Sequence, residues 1–220
     1  MRIDLRLNAI VDPERAGGHQ LADLARACTR GGATLVQLRD KRSATRAMIE
    51  EARTIKKALA NSGVPFVVND RVDVAMAAGA DGVHLGQEDM AVEDARQLLG
   101  PDAIVGSSIK SVAEAEAAPL GLIDYVGSGG VYVTASKQQN NPPIGPGGLA
   151  RIIAALRRRA PELPVCGIAG IDANNAGEVI AAGADGVAVI SALSLTPDPA
   201  AAARTLRDIV DGMLAKRGTR

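Results

Sequence analysis

The sequence predicts an α/β protein, a single (β/α)8 barrel of the TIM type over residues 1–220, on three observations. Short β-branched apolar runs recur eight times, Ala-rich segments with helical spacing separate most of them, and one seven-residue motif appears twice. Strand and helix alternate without a β-hairpin signal, which reads as parallel βα units, and 220 residues suit a minimal eightfold barrel. A doubly wound open sheet is the competing architecture, but eight strands with a half-chain repeat close more naturally than they lie flat.

The strands are expected at 5–11, 34–38, 65–68, 82–85, 103–106, 124–127, 164–168 and 186–190. Between them, Met48, Ala52, Ile55 and Leu59 step along one helix face, as do Leu149, Ile152, Ile153 and Leu156, and then Leu206, Ile209, Val210 and Met213. The repeat runs Ala77-Ala78-Gly79-Ala80-Asp81-Gly82-Val83 and Ala181-Ala182-Gly183-Ala184-Asp185-Gly186-Val187. Each copy ends a helix with a Gly suited to the left-handed position after it, then enters strand four or strand eight. A shorter echo, Gly31-Gly32-Ala33-Thr34-Leu35-Val36, precedes strand two. The Gly/Pro-rich stretch 138–148 reads either as a solvated connection or as a lid, and residues 216–220 as a frayed tail.

Composition narrows the function classes. Lys+Arg 25 against Asp+Glu 25 gives no basic excess, and the aromatics are Phe66, Tyr125 and Tyr132 alone, so a nucleic-acid partner is not expected. Cys28 and Cys166 lie far apart, which suits neither a zinc ribbon nor a disulfide scaffold and fits a reducing compartment. The opening residues carry Arg2, Asp4 and Arg6 with no apolar core of a signal peptide, and no run approaches the roughly 18 apolar residues of a membrane span. A cytoplasmic location without a membrane partner is the expectation. Oligomeric state is left open, a homo-oligomer included.

Barrel chemistry gathers at the C-terminal ends of the strands. Just past those ends stand Arg39, Asp40 and Lys41, then Asn69, Asp70 and Arg71, then Gln87, Glu88 and Asp89. Ser107, Ser108 and Lys110 follow strand five; Thr134, Ser136 and Lys137 follow strand six; Gly170 and Ser191 follow the last two. Asp70 and Asp89 on adjacent strands, without a His/Cys cluster, favour a hard cation held through oxygen, Mg2+ above all, with basic residues for a diphosphate. Either aspartate alone also reads as a helix cap or loop ion pair. Gly170 and Ser191 sit where many barrels hold a phosphate between loops seven and eight, although taken without the rest of the pattern they read first as simple turn chemistry. His84 faces the barrel interior with Gly82 and Gly86, and a lone strand histidine reads first as a hydrogen-bonded core residue. Gly127-Ser128-Gly129-Gly130 is no dinucleotide fingerprint, because no helix of the required spacing follows.

Four segments, VQLRDK (36–41), VVNDRVDVAMAAGADGVHLGQEDM (67–90), DYVGSGGVYVTASK (124–137) and GIAGIDANNAGEVIAAGADGVAVISAL (167–193), resemble the thiamine-phosphate synthase family in order and spacing. The resemblance covers residues 5–215 and implies a barrel transferase. Its members join hydroxymethylpyrimidine diphosphate to hydroxyethylthiazole phosphate, or a carboxylated form of it, and release diphosphate. It further implies that Gln37, Leu38, Arg39, Asp40, Lys41, Asn69, Ser108 and Lys137 hold the pyrimidine diphosphate, with Arg39, Lys41, Ser108 and Lys137 catalytic. By the same resemblance Asp70 and Asp89 bind Mg2+, and Thr134, Ala135, Ser136, Gly170, Ile190 and Ser191 contact the thiazole phosphate.

Three places depart from the family pattern. Gly129-Gly130-Val131-Tyr132-Val133-Thr134 lacks two prolines, Lys110 replaces a frequent histidine, and Ala169 replaces a glycine before Gly170. Two alternatives accompany the reading: a thiazole tautomerase, for which Lys110 is an unfavourable proton shuttle, and a non-catalytic paralogue that binds thiazole phosphate. The second would be expected to lack Asp70, Asp89 or Lys137, and all three are present.

Overall fold

The computed structural model describes residues 3–136 and 142–218. Its strands are β1 (Leu7–Val11), β2 (Leu35–Leu38), β3 (Phe66–Asn69), β4 (Gly82–Leu85), β5 (Ile104–Ile109), β6 (Tyr125–Gly129), β7 (Val165–Ile168) and β8 (Gly186–Val189). All pair in parallel in sequence order, and β8 returns to β1, closing the barrel. The connecting helices are α1 (Leu21–Arg30), α2 (Thr45–Ala58), α3 (Val72–Ala78), α4 (Val92–Leu99), α5 (Val112–Ala117), α6 (Gly145–Arg159), α7 (Ala176–Ala181), α8 (Ser191–Ser194) and α9 (Pro199–Gly218). Among the described residues no helix is long and apolar enough to cross a membrane.

Strand alternation divides the core in two. Outward residues such as Val36, Leu38, Val68 and Val126 pack against helix faces that include Met48, Ala52, Ile55, Leu149 and Leu156, all buried. Those faces are the ones the helical spacing marks. Inward residues Leu5, Leu35, Val67, Tyr125 and Cys166 form an apolar plug inside the barrel. The Cys166 thiol is pushed up to about 12 by burial, so it is an inert packing group.

The repeated motif has a structural explanation. Gly79 sits at φ +66°, ψ +34° after α3, and Gly183 also has positive φ. A Cβ on Gly82 or Gly186 would lie 1.8 Å from the carbonyl oxygen of Ile104 or Leu5, so the neighbouring backbone leaves room only for hydrogen. The aspartate of each copy locks two strands at the barrel base. Asp81 Oδ2 accepts from the Phe66 amide at 2.8 Å and Asp185 Oδ2 from the Val165 amide at 2.9 Å, while their own amides donate back to the Phe66 and Val165 carbonyls. Asp124 forms the same pair with Val105, and Thr34 with Leu7, so every even-numbered strand is tied to the preceding odd one. Lys56, Arg96 and Arg157, from α2, α4 and α6, pair with the three aspartates.

Most strand ends lie within two residues of expectation, and three boundaries differ in ways that matter here. β5 runs on to Ile109, so Ser107 and Ser108 lie within the strand. α6 begins at Gly145 with a Pro in its first turn, so residues 145–148 of the stretch expected as a connection or lid are helix and 142–144 are irregular, while 138–141 lie outside the described residues. α9 continues through Gly218, which places residues 216–218 in a helix; residues 219 and 220 lie outside the described residues.

Candidate active site

The strand ends surround a cavity of about 400 Å³ at the C-terminal mouth. Gln37, Arg39, Asn69 and Ser108 line one side; Thr134, Ala135, Ser136, Gly170, Ile190 and Ser191 line the other. Ten of the residues singled out from sequence therefore meet in one space.

A directed hydrogen-bond chain supports the first side. Tyr125 is fully buried, and its ring fits because Gly106 has no Cβ, which would sit 2.2 Å from the ring. Its hydroxyl lies 3.0 Å from His84 Nδ1, and Gln37 hydrogen-bonds to the same oxygen. Burial holds the phenol far above its ordinary pKa, so it keeps its proton. With Gln37 donating to the tyrosine oxygen and the O–H donating to Nδ1, His84 Nε2–H donates to Ser108 Oγ at 2.9 Å. The Ser108 proton is then available to the cavity. His84 is thus the hydrogen-bonded interior residue expected, and it also lines the cavity.

Arg39 stands at the end of β2 and pairs with Asp12 at 2.5 Å. Asp12, 1% exposed, was not singled out from sequence; its signal was an Asp-Pro turn directly after a strand. Behind this wall the Asp70 and Asp89 carboxyls share a hydrogen bond, and Lys41 pairs with Asp70. Burial and the neighbouring Asp89 push the Asp70 carboxyl up to about 6 despite Lys41. Asp70 also holds φ +64°, and Asp89 Oδ2 accepts from the Gly86 amide at 2.7 Å.

On the second side, Thr134 Oγ1 accepts from the Ser136 amide at 3.1 Å, and the Ser136 and Ser191 hydroxyls lie 3.0 Å apart. Gly170, at φ +65°, lies against the 131–134 segment: a Cβ there would be 2.3 Å from the Val133 carbonyl. Ala169 holds φ +85° with a side chain, at the position where the family pattern has glycine.

Other expected residues sit elsewhere. Leu38 belongs to the outer core, so its side chain faces the helices. Asp40 Oδ1 accepts from the Arg42 and Ser43 amides at 3.0 and 2.9 Å, which closes its own loop and makes it a turn residue. Lys41, Asp70 and Asp89 flank the cavity without lining it, and Lys110 is exposed. Lys137 lies outside the described residues.

A closed (β/α)8 barrel with these two polar walls at its strand ends defines a small-molecule barrel enzyme. A family model described as Thiamine monophosphate synthase matches residues 7–193, and the chain belongs to that family of transferases. It is 48% identical over 216 residues to the thiamine-phosphate synthase of Agrobacterium fabrum, covering 98% of each chain. It is 44% identical to that of Moorella thermoacetica over 93% of this chain and 95% of the other. Among solved structures, thiamine phosphate pyrophosphorylase from Pyrococcus furiosus superposes with a TM-score of 0.83 at 38% identity, covering 97% of this chain and 98% of that one.

Proposed function

We propose that this enzyme joins hydroxymethylpyrimidine diphosphate to hydroxyethylthiazole phosphate, or its carboxylated form, giving thiamine phosphate and diphosphate. The observation that carries the reading is one cavity with an arginine, amide and hydroxyl wall opposite a hydroxyl and glycine wall. Two phosphorylated rings can face each other there without a general base between them.

Gln37, Asn69 and Ser108 orient the pyrimidine, and Arg39, Lys41 and Lys137 hold its diphosphate. The bond from the methylene carbon to oxygen breaks, its electron pair leaves with diphosphate, and the thiazole nitrogen captures the methylene cation. Cationic donors stabilise the charge that builds on the leaving oxygen. Thr134, Ser136, Ser191 and the backbone at Gly170 hold the thiazole phosphate, which keeps the nitrogen aimed at the carbon.

The donor set suits Mg2+. Asp70 and Asp89 are two oxygen donors close enough to share a proton, and such a like-charged pair is relieved by a cation between them and the substrate phosphates. Among the described residues no group of three or more acidic, His or Cys side chains competes for that role. When bound, Mg2+ would neutralise charge on the diphosphate. The tautomerase reading is less favoured, since Lys110 is exposed and does not line the cavity.

Diphosphate release is expected only with both substrates and Mg2+ present, and its absence would overturn the reading. Asp70→Asn and Asp89→Asn are expected to raise the Mg2+ concentration needed for turnover. Undiminished turnover by both variants in EDTA would remove the metal from the reaction.

A further inference from the structure

The turn that follows β1 touches both walls of the cavity. Asp12 Oδ2 holds Arg39 Nη1 at 2.5 Å, while its Oδ1 accepts from the Glu14 amide at 2.9 Å and so fixes the 3-10 turn Pro13–Arg15. Glu14 pairs with Arg42 at 2.7 Å, just beyond Arg39 on the same loop. Arg15 reaches the other way and donates from Nη2 to the Ala135 carbonyl. Gly17 then packs so closely under α8 that a Cβ would lie 2.2 Å from the Ser194 carbonyl oxygen, which anchors the turn to the segment carrying Ser191.

We propose that Asp12 and Arg15 are positioning residues that set the two half-sites at a fixed separation. The proposal rests on the two-substrate reaction above. An arginine has a long, rotatable side chain, and ordering it on binding opposes binding. A buried carboxylate that holds one guanidinium nitrogen orders it beforehand and leaves the remaining donors of the fork for diphosphate oxygens. Arg15 does the corresponding work through the backbone. By holding the Ala135 carbonyl it fixes the segment whose Thr134 and Ser136 face the thiazole phosphate. Neither residue lines the cavity, so each acts through another group.

The expected signature is selective. Asp12→Asn, which keeps an acceptor for the Glu14 amide and loses the carboxylate that holds Arg39, raises the KM for the pyrimidine diphosphate by about tenfold, the scale of ordering one such side chain, and leaves the KM for the thiazole phosphate within about twofold. Arg15→Ala raises the thiazole phosphate KM and leaves the pyrimidine KM unchanged. A double-mutant cycle separates positioning from general structure: in an Arg39→Ala background, Asp12→Asn is expected to cause no further loss. The cycle is read both in KM and in calorimetric binding of inorganic diphosphate with Mg2+ present.

Equal losses from Asp12→Asn in both backgrounds, or equal shifts of both KM values in either single variant, overturn the proposal. If Asp12→Asn does not fold, Arg15→Ala decides through its selectivity for the thiazole side. A wild-type protein that shows the diphosphate-binding cycle but no turnover keeps the positioning role and rejects the two-substrate reaction. Turnover as proposed, with additive variants, rejects the positioning role alone. A wild-type protein that binds no diphosphate overturns both.

Discussion

Tyr125→Phe removes one oxygen from the centre of the barrel and nothing else. That oxygen is the junction between Gln37 and His84, in a residue with no exposed surface. Gln37 lines the cavity and can find a water there, whereas buried His84 Nδ1 loses the phenol hydroxyl that lies 3.0 Å from it. Loss of one buried hydrogen-bond partner costs about 1–3 kcal/mol. For a chain of this length each kcal/mol lowers Tm by roughly 2–4 °C, so a decrease of about 4–8 °C is expected for the middle of that range. The second consequence is kinetic. Without the tyrosine O–H, His84 is no longer held as the tautomer that donates to Ser108, and the serine proton loses its direction. The expected result is a lower kcat/KM in the pyrimidine diphosphate with little change on the thiazole side. Calorimetric unfolding and initial rates of diphosphate release read the two effects separately. A Tyr125→Phe protein with native Tm and native kcat/KM would refute the hydrogen-bond chain as both a structural and a functional unit.

Three further outcomes are expected. Asp185→Ala deprives the Val165 amide of its acceptor and should destabilise by about 1–3 kcal/mol, whereas Asp185→Asn, which keeps an acceptor oxygen, should lose less; identical melting curves for the two variants would contradict the lock. Burial raises the Asp40 pKa, but hydrogen bonds from the Ser43 hydroxyl and the Ser43 and Arg42 amides outweigh it and hold the carboxyl below its ordinary value. Asp40 therefore contributes stability above the unfolded pKa of about 3.9 and loses it as pH falls through the folded value, so the gap between wild type and Asp40→Ala should close in acid and a constant gap would contradict it. Lys137→Ala should lower kcat by on the order of 10²–10³ with a smaller effect on pyrimidine diphosphate affinity, and a normal kcat with raised KM would reduce Lys137 to an anchor.

The barrel was legible because period-two and helical spacing survive in nearly every element, and because Gly82 and Gly186 mark a packing constraint that recurs along the chain. Ten of the cavity residues were legible for a related reason, since strand ends point where the topology sends them. The misses have physical causes. Gly145-Pro146-Gly147-Gly148 has a loop composition, yet Pro suits a first helical turn and Gly148 is needed where a Cβ would lie 2.7 Å from Ile144. Ser107 and Ser108 are weak strand formers, kept in β5 by pairing with β4 and β6. Asp12 and Tyr125 act through partners remote in sequence, Arg39 and His84, which no local spacing reveals. The side chains of Leu38 and Asp40, in the same VQLRDK segment, do not line the cavity, because alternation turns one outward and a tight turn engages the other.

The locks at the barrel base also bear on how the chain finds its closed form. They join residues 27, 15, 19 and 20 positions apart, so each odd–even strand pair closes a short loop and can be secured early. The β1–β8 seam, with Leu7 opposite Val187, brings together the two ends of nearly the whole chain. Barrel closure therefore comprises four locked pairs, three joins between neighbouring pairs and one seam between the chain's first and last strands. By its sequence separation that last seam, where the first and last strands meet, is the one expected to form most slowly.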